Sequence, residues 1–221
     1  MSIENIKNKA QAIISKNNSN VVKAYLLENL EREPDGAELN RTCGAPIGVD
    51  NGNWPLVEGE KMAHAITINL DSVPALRANF PEDTKAISVF VSDLTENEAY
   101  QPGTPETAVV FLNQSDIAKG LGEWEPPEDE SESTAFKAHE IDLPEEVFSE
   151  EIYDLDEDDP VYQLSEDLSE FSMAGGKPIW LQGPEHEGEV ILQFDEDLVD
   201  MNLGDAGVMY VFKDTAFWQC S

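Results

Sequence analysis

Basic residues are scarce in this chain. Thirteen Lys plus Arg stand against 46 Asp plus Glu in 221 residues, leaving a formal net charge of −33. That shortage excludes a nucleic-acid groove built on phosphate neutralisation, which needs a basic stripe. It also argues against docking to anionic lipid. Cysteines number two, and Cys43 and Cys220 lie far apart without metal-ligand spacing. In a sequence with no export signal they read as thiols rather than as a bridge. No apolar run approaches the roughly 18 residues that span a bilayer. The opening MSIENIKNKAQAIISKNNSN has lysines between apolar residues at helical spacing and no continuous apolar stretch, so the expected compartment is the cytoplasm.

Recognisable catalytic motifs are also lacking. The sequence holds no P-loop, no Gly-x-Ser-x-Gly elbow, no His-Glu-x-x-His helix, no Cys-x-x-Cys pair and no dinucleotide fingerprint. Of the three histidines, His64 and His139 lie in strand patterns and read as satisfied sheet residues, while His186 sits in a Gly-Pro-Glu-His-Glu-Gly loop and reads as solvated. A Cys43–His64 or Cys220–His nucleophile has no support from spacing. Carboxylates are too numerous for paired-acid logic to select any two. The run Asp154-Leu155-Asp156-Glu157-Asp158-Asp159 invites a calcium reading. It departs from the EF-hand loop, with Asp159 in place of the turn glycine and Ser165 in place of the bidentate Glu. No catalytic residue, metal ligand or cofactor is therefore assigned.

What is present is an ordinary globular composition, 40% apolar, in a chain long enough for a sizeable core. Residues 3 to about 31 predict two helices, the second carrying Val21, Val22, Tyr25, Leu26, Leu27 and Leu30 at helical spacing. From residue 41 the texture predicts strands at Ala63–Leu70, Ala86–Ser92, Thr107–Leu112, Ala135–Ile141, Pro178–Leu181, Glu189–Phe194 and Val208–Phe212. Helices are expected at Glu145–Tyr153, with Pro144 at an early helical position, and at Val161–Phe171. Residues 125–133 have linker composition.

An internal repeat organises these elements. Gly44-Ala45-Pro46-Ile47, the strand 65–71 and the strand 86–93 recur as Gly176-Lys177-Pro178-Ile179, 189–195 and 207–214. Both strands end in Asp in each copy. The reading is an α+β, β-rich mixed fold with a duplicated antiparallel core and N-terminal helices. Its segments are an N-terminal helical segment at 1–40, a first repeat at 41–122, an acidic linker with helices at 123–173 and a second repeat at 174–221.

The second copy carries Gly175-Gly176-x-Pro178, Leu192-Gln193, Asn202-Leu203-Gly204-Asp205-x-Gly207-Val208 and Trp218-Gln219-Cys220. The first carries Trp54-Pro55 and AHAITINLDSVP. With these elements the chain resembles the YwqG-like family of bacterial proteins over residues 41–221, with a gap across the acidic middle. The resemblance implies a cytoplasmic protein with a duplicated, antiparallel β core and carries no enzymatic role. Some members are taken to be immunity proteins in polymorphic toxin loci. Physically the signatures read as architecture: Gly204 and Gly207 as positions for φ > 0, Asp205 as a turn residue, Pro46 and Pro178 at strand beginnings, and Trp54, Trp180 and Trp218 in the core or its rim.

Charge is uneven along the chain. Residues 1–41 balance six acids with six bases, whereas residues 123–170 hold 20 acids against Lys137 alone. Such a stretch either keeps the protein soluble or forms a surface complementary to a basic protein. The second alternative makes the protein a binder of a basic partner, most concretely a toxin such as a nuclease. Its contact residues are Glu150, Glu151, Tyr153, Asp154, Asp156, Glu157, Asp158 and Asp159, with Tyr153, Tyr162 and Phe148 as buried anchors. The rival reading is a small-molecule binder or enzyme with a cleft between the repeats, lined by Trp54 and Trp180. An accessory protein with no independent activity is the third.

Overall fold

The computed structural model describes residues 1–96, 98–123 and 132–220. Most of the 125–133 stretch read as a linker thus lies outside the described residues. The strands are β1 Val21–Asn29, β2 Arg41–Thr42, β3 Leu56–Val57, β4 Glu60–Lys61, β5 Ala63–Asn69, β6 Thr84–Val91, β7 Thr107–Asn113, β8 Thr134–Pro144, β9 Met173–Gly175, β10 Leu192–Asp195, β11 Val208–Val211 and β12 Ala216–Gln219. The α-helices are α1 Ile3–Asn17, α2 Pro74–Arg77, α3 Gln114–Ile117 and α4 Pro160–Ser169. Ten strands form one antiparallel sheet in the order β12-β11-β10-β9-β1-β8-β2-β5-β6-β7, and β3 and β4 make a separate hairpin. The fold is mixed, with few helices around a dominant sheet. No helix among the described residues is long and apolar enough to cross a membrane.

The sheet curls until its edges approach. Thr107 Oγ1 on β7 donates to the Ala216 carbonyl of β12 at 2.8 Å, and Gly103 N donates to Thr215 Oγ1 at 2.7 Å. The result is nearly a barrel. One cluster gathers Tyr25, Leu27, Ile66, Ile68, Val89, Phe136, Leu192, Phe194, Met209 and Val211 from strands on both sides of the sheet's centre and fills its concave side. Outside, α1 and α4 cover Ala24, Leu26, Ile141 and Leu143 with Ile6, Ala10, Leu164 and Leu168.

Only the first of the two expected N-terminal helices exists. Ser2 caps α1, its hydroxyl accepting from Asn5 N, and the second segment is β1. Four consecutive residues of β1, Ala24 to Leu27, are buried, because Ala24 and Leu26 face the helices while Tyr25 and Leu27 face the concave core. A strand covered on both faces is apolar at every position, so its pattern imitates a helix face.

Other expectations shift for local reasons. Glu145–Tyr153 is two 3₁₀ turns, Glu145–Phe148 and Glu150–Asp154, interrupted where extended Ser149 turns its hydroxyl to Glu151 N. Pro144 closes β8 and stands ahead of the first turn rather than in it. Pro178–Leu181 is not a strand. Ile179 N donates to Gln193 Oε1 and Leu181 N to Tyr210 Oη, so side chains take the donors a ladder would need. The expected Glu189–Phe194 strand shortens to β10. Pro46 and Pro178 follow β2 and β9 instead of opening strands.

The strand order reads alike from both edges, and the registers superpose. Thr42 pairs with Ile66 as Ala174 pairs with Leu192. Ile66 pairs with Val89 as Leu192 pairs with Val211, and Ile68 with Ile87 as Phe194 with Met209. After Thr42 and Ala174 come two residues of positive φ, Cys43 and Gly44 at 49° and 60°, Gly175 and Gly176 at 67° and 77°. The repeat aligned from sequence matches these turns but slips by two residues in its first strand and by one in its second.

In the Asn202–Val208 turn, Gly204 has φ +86° but the second positive φ belongs to Ala206, at 49°. Gly207 serves close approach: a Cβ there would sit 2.0 Å from the Leu203 carbonyl oxygen. Gly207→Ala is expected to destabilise the fold by on the order of 3 kcal/mol or more. Gly59→Ala, at φ +92° in open space, is expected to cost about 1 kcal/mol. Urea denaturation of both variants checks the contrast, and equal losses would contradict it.

Candidate functional site

The chosen acids gather at one corner, where the second 3₁₀ turn meets α4. Ile152, 6% exposed, anchors that turn in the cluster under α1 and α4. With Ile152 inward, Glu150, Glu151, Tyr153 and Asp154 face solvent, and Asp156, Glu157 and Asp158 follow, all exposed. Asp159 is half-buried and caps α4, accepting from Val161 N at 2.8 Å. Among the described residues no ion pair involves any carboxylate of residues 150–159. Nearby acids do have bases: Lys23 lies 2.6 Å from Glu140 and 3.3 Å from Asp142, Lys177 lies 2.6 Å from Glu145, and Lys9 pairs with Asp167.

The expected aromatic anchors separate. Tyr153 is 68% exposed, and its hydroxyl donates to the Trp180 carbonyl at 3.1 Å, tying the acidic corner to the chain after β9. Phe148 and Tyr162 are instead packed on the helix-covered cluster. Leu155, 38% exposed among the acids, was missed as an apolar contact. Its place between two aspartates on an exposed turn was the available signal. A hollow of about 40 Å³ lies beside Tyr153, bounded by Phe148, Ile152, Ile179 and Trp180.

His64 is fully buried on β5. Its Nδ1 stands 3.0 Å from the Cys43 carbonyl, which can only accept, so Nδ1 carries the proton. The Nε2 lone pair then accepts from Thr67 Oγ1 at 2.8 Å, and Thr67 Oγ1 bonds Ser88 Oγ at 2.6 Å. Each ring nitrogen of His64 is satisfied, and Nδ1 faces the Cys43 carbonyl. His139 on β8 lies 2.7 Å from Glu28 Oε2. His186 is less solvated than expected: its ring meets Phe212 edge-on at 4.5 Å and its Nε2 lies 3.3 Å from Asp214. Cys43 and Cys220 form no disulfide.

Trp54 and Trp180 belong to separate clusters. Trp54 packs with Met62, Phe90 and Leu112, its Nε1 donating to the Met62 carbonyl at 2.9 Å. Trp180 stacks with Phe212 and Phe217 and meets Tyr210 at a tilt on the other half of the sheet. Among the described residues no group of three His, Cys, Asp or Glu is arranged to hold a metal ion. The aspartates of 154–159 therefore present charge outward without converging.

Burial lowers the His64 pKa from 6.5 to about 4. The folded protein then binds fewer protons than the unfolded chain at mildly acid pH. The contribution is complete above pH 6.5 and is lost as pH falls toward 4. Between pH 7 and pH 5 the parent is expected to lose about 2 kcal/mol more stability than His64→Gln. Chemical denaturation at both pH values measures this, and parallel losses would contradict it.

No curated protein matches the chain. Residues 40–215, from just before β2 to the turn before β12, match the family model described as a domain of unknown function, DUF1963. The chain belongs to this family.

Proposed function

We propose that the protein acts by binding, as an acidic cytoplasmic immunity protein that neutralises a basic bacterial toxin, a nuclease being the best-matched kind. The carrying observation is the corner at 150–159, where seven carboxylates flank exposed Tyr153 along the chain and none forms an ion pair among the described residues. A nuclease must present cationic groups to hold phosphate. A rim of carboxylates offers those groups a substitute anion, accelerates encounter and repels acidic surfaces. Tyr153, large and half-apolar, supplies the desolvated contact that charge alone lacks.

In this reading the finer YwqG-like resemblance is to family members of the same role, and the matching registers of the two halves descend from a duplication. The four segments divided from sequence then make one compact unit, with the acidic corner grown between its copies.

The test is binding to the product of a neighbouring toxin gene. A variant carrying Glu150→Gln, Glu151→Gln, Asp154→Asn, Asp156→Asn, Glu157→Gln and Asp158→Asn leaves the Asp159 cap in place. Parent affinity is expected to fall roughly tenfold or more between 50 and 300 mM salt. The neutralised variant should bind at least about 100-fold more weakly with a flattened salt dependence. A neutralised variant that still protects cells would reject the site. Parent binding indifferent to salt would reject the electrostatic mechanism.

A further inference from the structure

Concavities also lie at the other end of α4. Two hollows of about 810 and 700 Å³ adjoin, sharing Met1, Phe171 and Asp197 as common walls. One runs beneath the first turn of α1 and along the end of β1 to His139. The other passes Glu170 and Glu196 to the start of β11. Each has the volume of an ordinary small-molecule site. With α4 ten residues long, about 15 Å of helix separates this groove from the acidic corner.

Its lining is selective in two respects. Leu27 and Phe171 give it an apolar wall, one an aromatic ring suited to methylene groups and to cations. Carboxylates are distributed along it, with Glu4, Glu28 and Glu31 in one hollow, Glu170, Asp195 and Glu196 in the other and Asp197 between them; Glu28 also meets His139, Glu196 accepts from Leu203 N, and Lys7 is the one lysine or arginine in either lining. These acids do not converge in threes to hold a metal ion. A compact ion could use only one or two of them. A slender chain with several ammonium groups could meet them in succession while its methylenes cross Phe171.

We infer that this groove, between α1, the end of β1, Phe171 and the start of β11, binds a linear organic polycation of the polyamine class. The site is independent of the acidic corner and of the partner proposed for it. Carboxylates spread along both hollows suit several amines rather than a single one, and the Phe171 wall suits a carbon chain rather than a hydrated metal ion.

Spermidine is the probe, titrated calorimetrically into the full-length protein at fixed ionic strength. Saturable binding is expected, weakened at least tenfold in Glu170→Gln/Asp197→Asn and unchanged in the variant neutralised at 150–158. Magnesium at equal concentration should fail to compete. Spermidine-induced NMR shifts in the unmutated protein provide a readout independent of variant folding, and they should centre on Phe171 and His139. Absence of saturable binding, equal weakening in both variants, effective competition by magnesium, or shifts centred on residues 150–159 would each overturn the assignment. An unaffected neutralised variant leaves the toxin-binding question to its own experiment.

Discussion

The pairing of β1 with β8 is the constraint on which the molecule depends. Nine residues register continuously, from Val21 opposite Pro144 to Asn29 opposite Phe136. This pair joins the β2-β5-β6-β7 side to the β9-β10-β11-β12 side. Its side chains alternate between two environments, Tyr25, Leu27 and Phe136 toward the concave core, Ala24, Leu26, Ile141 and Leu143 toward the helices. A shift of one residue would exchange the faces and put each apolar set against the wrong partner. The same pair fixes α4, because the helix packs on the outward set, and α4 in turn locates the acidic corner and the groove at its two ends.

What could be read from sequence follows from how each element is buried. Strands β6, β8 and β11 and helix α4 combine strong patterns with local stop signals, so they stand close to where they were expected. β1 was read as a helix because burial on both faces erased its alternation. β2 and β9 have two and three residues, too few for any periodicity, and form only because neighbouring strands supply their hydrogen bonds. The repeat was visible at its Gly-x-Pro turns, where backbone conformation restricts the residue. Its strands slipped because β5, β6, β10 and β11 are buried at nearly every position, so successive apolar residues fix no register. In the candidate site, exposure of the acids was legible from charge density. The division between Tyr153 outside and Phe148 and Tyr162 inside was not, since it depends on which side of each turn meets the packed helices.

The acids at the corner are not physically equivalent. Glu150 and Glu151 occupy the first turn of a 3₁₀ helix and Asp159 caps α4, positions where backbone N–H groups welcome negative charge. These three have a local structural reason to be acidic. Asp154, Asp156, Glu157 and Asp158 cap no helix, and their mutual repulsion works against the compact state. Elsewhere in the described chain, lysines stand against acids on β8, α4 and the first 3₁₀ turn. The four residues without a cap or an ion pair among the described residues are therefore the part of the corner least explained by folding, and the proposed partner would draw mainly on them.

Shape then divides the work between the two anionic regions. The corner is convex, with Tyr153 and Leu155 projecting among carboxylates, so it can meet a broad surface but cannot enclose a small ligand. The groove is recessed between α1, β1 and the β10–β11 side, a shape suited to a thin chain. Coulomb attraction alone would draw the same cations to both. Selectivity arises from the apolar element at each place: a protruding tyrosine that needs a pocket on its partner, and a phenylalanine wall that needs a hydrocarbon chain along it. On the two proposed assignments, regions of like charge on one small domain would recognise cations of different size without competing.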